Sequence, residues 1–424
     1  MARFVIHGNR RLSGKYVPSG NKNAVLPMLA ASILTDEPVI LENVPLIDDV
    51  RTMLAILEHL GVSVDLQDHT VRLCAKGLRR SRLDPELCRK ARASILFAGP
   101  LAARVGRVTL SPPGGDVIGR RRLDTHFLGL RALGIEVEGG RHYVLRRKAL
   151  IGTDMVLDEA SVTATENVLM AATLAKGTTT IFNAACEPHV TDLALLLGKM
   201  GARIAGLGTN RLEVTGVDAL GGATHTVQPD TVEVGSFVAA VAVTGGELTV
   251  TGIAPEPTRI IARTLQKLGI NLAIQGDTLG LQSRQKLRVV KDFGGAIPKI
   301  EDGPWPMFPT DLMSVAIVAA TQASGSVLFF EKMFESRMVF VDRLVGMGAR
   351  IVQCDPHRVL VTGPARLHGT HMASPDIRAG MALLVAALCA RGESVIDTAQ
   401  TIDRGYEGVD EKLRALGADI VREA

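Results

Sequence analysis

A junction that recurs six times constrains this chain more than any other feature. A Leu-Gly or Met-Gly pair closes an amphipathic stretch and opens a strand-like run. The six are LGVSVDL from Leu60, LGIEVEG from Leu133, MGARIAG from Met200, LGINLAI from Leu268, MGARIVQ from Met347 and LGADIV from Leu416. Their glycines are separated by 73, 67, 68, 79 and 69 residues. Gly at such a place supplies the left-handed residue that ends a helix. The alternation that follows predicts a strand, and VDLQDHTVRL or RIAGLGTNRLEVTG predicts a turn and a second strand. A period near 70 residues is too long for a typical solenoid. It fits an α/β unit of two helices and several strands.

Several internal helices read as apolar nearly all round: AVLPMLAASIL, NVLMAATLA, DLMSVAIVAATQA and AGMALLVAALCA. Such a helix is buried on every side. The expected architecture therefore places helices inside and strands outside, with the six units grouped as two domains of three.

Composition narrows the function. Of 424 residues, 46% are hydrophobic, enough for more than one core. The 48 basic and 44 acidic residues leave a net charge of +4, too balanced for a nucleic-acid carrier. With aromatics at 4%, base-stacking platforms are not expected. Five cysteines, an odd number without CxxC spacing, suit neither a disulfide framework nor a zinc knuckle, and point to a reducing compartment. The longest apolar run, Met381 to Ala390, is about half a membrane span. The N-terminus lacks a secretory core. A soluble cytoplasmic protein is expected. No phosphate-loop or HExxH pattern occurs, and GLGTNR lacks the third Gly of a dinucleotide fingerprint, so no metal site is expected.

Function should concentrate in the polar Gly- and Pro-rich connections. Lys22-Asn23 precedes the first apolar helix. A Lys there opposes the helix dipole, and an anionic ligand would offset that cost; a solvated Lys fits this segment equally well. Arg92, the triplet Arg120-Arg121-Arg122, Arg378 and Arg404 each lie beside or near a Gly- or Pro-bearing turn. Singly they read as surface residues. Together they suit phosphates and a carboxylate held by forked guanidinium donors. Asp116 follows Pro-Pro-Gly-Gly, on a loop able to carry a carboxylate over a cleft or to close a local turn. Asp311 precedes a buried helix, where capping is the simplest role.

In this order the segments GNKNAVLPMLAA, NVPLIDDV, RASILFAGPLAARVG, PGGDVIGRRRLDTHFLGLRALG, SVTATENVLMAATLAKGTTTIFNAACEP, PDTVEVGSF, FPTDL, FESRM and IDRGYEGVDEKLRALGA resemble the enolpyruvyl transferase family nearly end to end. PGGD, FPTD and IDRGYE resemble its nucleotide-sugar branch. The resemblance implies a two-domain inside-out α/β barrel of six repeats, with domains at 21–229 and at 1–20 plus 230–424, closing on substrate. It implies transfer of the enolpyruvyl group of phosphoenolpyruvate to the 3′-hydroxyl of UDP-N-acetylglucosamine, the first committed step of peptidoglycan synthesis. Phosphate would be released by a monomer that needs no cofactor, membrane or nucleic acid.

Carried over by motif, Lys22 and Arg121 would hold phosphoenolpyruvate, with Arg378 and Arg404 contributing from the other domain. Asn23 would position the acceptor. Arg92, Arg121, Arg122, Leu123, Asp124, Thr125, Ser161, Val162 and Thr163 would line the nucleotide side, with Asp124 reading uracil and Met333 near the uridine. Asp116 would be the acid that protonates the enol carbon, where most family members have Cys. That thiol is alkylated by the epoxide fosfomycin, so this chain should resist it. Asp311 would accept the sugar hydroxyl's proton. Thr163 in place of Gly, Arg122 in place of Pro, and LMS after FPTD depart from the family pattern. They leave open an acceptor that is another uridine nucleotide of secondary metabolism, as well as a non-catalytic nucleotide-sugar binder.

Overall fold

The computed structural model describes residues 2–116 and 118–423. All six repeat glycines are left-handed, with φ between 83° and 103°. In five of the six, the residue after the glycine donates its N–H to the carbonyl five positions before it, as Val62 does to Leu57 and Ala418 to Leu413. That bond ends the helix and turns the chain outward into its strand. At the sixth, Gly134 itself bonds back to Arg131.

The chain divides into two compact units: Gly20–Asp116 with Arg121–Gln228, and Met1–Ser19 with Val117–Arg120 and Pro229–Ala424. Each has its own hydrophobic core. The unit containing Gly20 to Gln228 buries the helices Lys22–Ala31, Ala98–Val105 and Val162–Ala172. The other buries Thr231–Val243, Met313–Gln322 and Ile377–Cys389. Ile377–Cys389 has twelve of its thirteen residues buried, whereas the outer helix Pro255–Gln266 has four of twelve. Small residues dominate the inner helices, as in MALLVAALC, so their backbones approach closely. Each fully buried Leu, Ile or Phe there contributes about 1.5–3 kcal/mol.

The strands form six separate sheets rather than one closed barrel among the described residues, five of four strands and one of three. The six share one plan. Two strands pair in parallel at one side, and an antiparallel hairpin completes the sheet, as in Asp154–Val156, Thr178–Phe182, Arg211–Thr215 and Arg203–Ala205. The three-stranded sheet keeps the parallel place as a single bridge, Arg82 to Thr109. Strands distant in sequence fill the remaining places. Arg3–His7 takes the hairpin position in the sheet of Glu393–Asp397, and Ser13–Tyr16 pairs in parallel with Glu247–Thr251. Ala223–Thr226 likewise completes the sheet of Val39–Glu42. The N-terminal strands therefore belong with the last three repeats because those sheets lack partners without them. No helix among the described residues is long and apolar enough to cross a membrane.

Candidate active site

In the unit containing residues 20–116, Asn21 caps the helix Lys22–Ala31 by accepting from the N–H groups of Asn23 and Ala24 at 2.8 and 3.1 Å. No acid occupies that first turn. Lys22 is not the solvated residue that its segment alone allowed: it is 7% exposed, with Nζ 2.7 Å from Asp49 Oδ2. Burial of a cation requires such a counter-charge. Asn23 is half-buried beside it.

The Pro-Pro-Gly-Gly loop is pressed onto residues 89–92. Gly114 donates to the Cys88 carbonyl at 2.9 Å, and a Cβ on Gly114 would sit 1.8 Å from the Arg89 carbonyl oxygen. Gly115 takes φ 104° against the Arg92 side chain. Only glycine fits this approach, and the loop leads into a half-buried Asp116. Arg92 does not enter an α-helix directly. It starts a 3-10 turn, Arg92–Phe97, and the helix follows at Ala98. Its guanidinium donates to the carbonyl of Arg121 at 2.6 Å. Burial, then the neighbouring Arg121 charge, lowers its pKa to about 10.

Arg122 reaches Asp158 at 3.1 Å and lies 3.7 Å from Asp124. Thr125 donates to the other Asp158 oxygen at 2.5 Å, so Asp158 ties the arginine run to the helix Asp124–Ala132. Sequence reasoning missed Asp158, which carries no motif. Leu123 is buried and Asp124 exposed. Ser161 stands at the N-terminus of the helix Val162–Ala172 without a side-chain cap bond; Ser161, Val162 and Thr163 are half-buried. Thr163, the departure from Gly, has a partner: its hydroxyl lies 3.1 Å from His126 Nε2. Asn167 donates to His126 Nδ1 at 3.0 Å. Burial, then the Arg92 charge, lowers His126 to about 3, so the ring is neutral and its Nε2–H donates to Thr163.

In the other unit, Asp311 lies in the 3-10 turn Thr310–Leu312, and the helix after it has no side-chain cap. Its two oxygens accept from two different guanidiniums instead: Oδ1 from Arg337 at 3.0 Å and Oδ2 from Arg378 at 2.9 Å. Asp376 caps the helix of Arg378, accepting from the N–H groups of Arg378 and Ala379 at 2.8 and 3.0 Å. The Arg378 guanidinium lies 5.2 Å from the Tyr406 ring centroid. Burial alone would lower the Arg378 pKa, but Asp311 foremost, with Tyr406, raises it instead. A Cβ added to Gly405 would come within 3.7 Å of Arg378 Nη1, which places the half-buried Arg404 turn beside it. Met333 is exposed, and its N–H donates to the buried Glu331. Arg337 was missed because FESRM carries no local sign that its arginine turns inward. Residues 118–120 count with this unit: Ser336 donates to the Ile118 carbonyl at 3.1 Å, and Arg120 N–H to Glu335 at 3.1 Å.

Among the described residues no group of three or more His, Cys, Asp or Glu is placed to hold a metal ion. A separate cavity of about 1160 Å³ is lined by Arg263, Lys267, Lys286, Arg288 and Lys291, and includes none of the residues above. Each unit by itself offers a carboxylate, Asp116 or Asp311, and buried or half-buried cations, groups suited to anionic substrates and to proton transfer.

Comparison with known proteins bears on this chemistry. The family described as EPSP synthase (3-phosphoshikimate 1-carboxyvinyltransferase) matches residues 6–413. A protein of Bradyrhizobium diazoefficiens named UDP-N-acetylglucosamine 1-carboxyvinyltransferase is 53% identical, covering 99% of this chain and 98% of its own. A protein of the same name from Treponema denticola is 52% identical, covering 99% of both. Among solved structures, the enolpyruvyl transferase NikO from Streptomyces tendae superimposes with a TM-score of 0.88 at 24% identity, covering 99% of this chain and 98% of that one. An EPSP synthase from Acinetobacter baumannii gives 0.77 at 18% identity, with both chains fully covered. These two likenesses carry the fold.

Proposed function

The chain belongs to the EPSP synthase family of carboxyvinyltransferases, and from that premise we propose that it transfers the enolpyruvyl group of phosphoenolpyruvate to the 3′-hydroxyl of UDP-N-acetylglucosamine and releases phosphate. One observation carries the choice of acceptor: identity of 53% over essentially the whole of both chains to an enzyme named for that acceptor. It weighs against another uridine nucleotide and against a binder that has lost chemistry. The reaction contributes to peptidoglycan synthesis. Both substrates are anions that lipid excludes, so the enzyme works in the cytoplasm, and it acts as a monomer.

The proposed roles follow from the chemistry of each group. Lys22, Arg121, Arg378 and Arg404 hold the carboxylate and phosphate of phosphoenolpyruvate. Asp116 gives a proton to C3 of the enol as the sugar oxygen bonds to C2, and Asp311 accepts the hydroxyl proton. The tetrahedral adduct then loses phosphate and a proton from C3, which restores the double bond. Asn23 positions the acceptor. Arg92, Arg122, Leu123, Asp124, Thr125, Ser161, Val162, Thr163 and Met333 contact the nucleotide. The pairing of Asp311 with two guanidiniums supports its part. Those cations hold both carboxylate oxygens in place. Once it is protonated, they lose their counter-charge and become available to an anion.

Phosphate release from phosphoenolpyruvate tests the proposal against a panel of UDP-sugars, UMP and shikimate 3-phosphate. Release with UDP-N-acetylglucosamine at least tenfold faster than with any other acceptor is expected. Faster release with shikimate 3-phosphate or UMP would overturn the acceptor assignment, and none with any acceptor would overturn the activity.

A further inference from the structure

The turn at 331–337 carries Met333, Phe334 and Arg337, and it is anchored by two carboxyls that are both 0% exposed, Glu331 and Asp302. Glu331 Oε1 accepts from the N–H groups of Met333 and Phe334 at 3.0 and 3.1 Å. The Thr310 hydroxyl lies 3.0 and 2.9 Å from its two oxygens. Asp302 Oδ1 accepts from the Lys332 N–H at 2.6 Å, while its Oδ2 is buried with no donor. Two adjoining buried carboxylates would repel, and each would carry a large desolvation cost. A single proton on Glu331, donated to Asp302 Oδ2, removes the repulsion and satisfies the orphan oxygen.

The other charged groups nearby do not supply that donor. Arg337 directs a guanidinium nitrogen to Asp311, and the Lys332 ammonium pairs with Glu301 at 3.0 Å. His357 Nδ1 faces the Glu331 main-chain carbonyl at 2.8 Å. Burial first, then the hydrogen bond and charge of Asp302, raise Glu331 to about 9, against the opposing Arg337 charge.

We propose that Glu331 and Asp302 share one proton and act as a positioning pair, which sets the 331–337 turn and, through Arg337, the orientation of Asp311. The effect on catalysis rests on the function proposed above; the effect on stability does not.

The test compares the wild type with Glu331→Gln and Asp302→Asn across pH 7 to 9.5. Either amide supplies a permanent donor where the shared proton lies. In the wild type the folded pair holds a proton that an unfolded Glu has already released. Stability is therefore lost as pH rises through about 9. The wild-type melting midpoint should drop roughly 5 °C more than that of Glu331→Gln over this range. Glu331→Gln should also keep its kcat/KM on the alkaline side where the wild type declines. Parallel midpoint curves for wild type and both variants would overturn the shared proton, and so would failure of both variants to fold at pH 7. Divergent midpoints with superimposable activity profiles would leave the pair structural and overturn its positioning role. Absence of any transferase activity would strike the proposed function while the midpoints still decide the shared proton.

Discussion

Arg92 in one unit and the pair Arg337 and Arg378 in the other are held in opposite ways. In the unit containing residues 20–228, Arg92 donates to main-chain carbonyls of Arg121 and Arg122 and makes no ion pair among the described residues, while burial and a like charge weaken its hold on its own proton. In the other unit, Arg337 and Arg378 both close on one carboxylate, Asp311. Carbonyls satisfy donors without neutralising charge, so the first arrangement leaves a positive field for an incoming anion. In the second, Asp311 offsets one of the two charges until it takes a proton. The comparison teaches that a cation's readiness for substrate depends on what it already holds, and a count of arginines does not report that.

The largest effects should come from the two proposed proton carriers, and stability should tell them apart. Asp311→Ala and Asp116→Ala should each lower turnover by about 10²–10⁴-fold. Asp311→Ala should also lose about 2–4 kcal/mol of stability, because it strands two inward arginines; the figure is discounted since Asp311 is partly exposed. Asp116→Ala should lose less, because it takes no counter-charge from two buried arginines. Asp116→Cys should keep turnover and gain time-dependent inactivation by fosfomycin, since a thiolate opens an epoxide far faster than a carboxylate. Denaturant melts, turnover and mass spectrometry of the 112–122 peptide check all three. Equal stability loss in the two Ala variants would break the comparison.

Lys22 and Arg404 are two further proposed phosphoenolpyruvate ligands. A surface lysine would predict a variant that loses turnover alone. Burial against Asp49 predicts otherwise: Lys22→Ala should lose turnover and also about 3–5 kcal/mol, because the buried Asp49 loses the counter-charge 2.7 Å from it. Arg404→Ala should lose turnover. Lys22→Ala melting like the wild type would show that the pair contributes nothing to folding.

A further effect concerns His126. Its folded pKa, about 3, lies below the ordinary value of 6.5, so the folded state binds fewer protons than the unfolded chain between these limits. Its contribution is present above pH 6.5 and is lost as pH falls toward 3. The slope should be about 1.4 kcal/mol per pH unit, and His126→Gln should flatten it. Thr163→Gly, which restores the family residue, should cost about 1–2 kcal/mol by leaving the ring N–H unpaired and loosening a helix. Acid titration of the melting midpoint reads both.

Much of the fold was legible locally. The helix-ending glycines all take the left-handed conformation, because only backbone sterics decide that. The inner helices are buried because they are apolar nearly all round. The tight turn before Asp116 was legible for a similar reason, since Pro-Pro-Gly-Gly permits few conformations. Side-chain partnerships were less so. Asp311 resembled a cap and proved to be the counter-ion of two arginines, one of them 67 residues away. Lys22 resembled a surface residue and is buried on Asp49.

By itself, then, the sequence determined the repeat, the inside-out layering and the family, because these follow from periodicity, glycine geometry and long motifs. Only the tertiary structure decided that the N-terminal strands complete the sheets of the last repeats, that Thr163 answers a neutral His126, and that Glu331 meets Asp302. Each of these joins groups from distant segments, and a buried charge or hydrogen-bond donor is defined by the partner that folding brings to it, which no local pattern encodes.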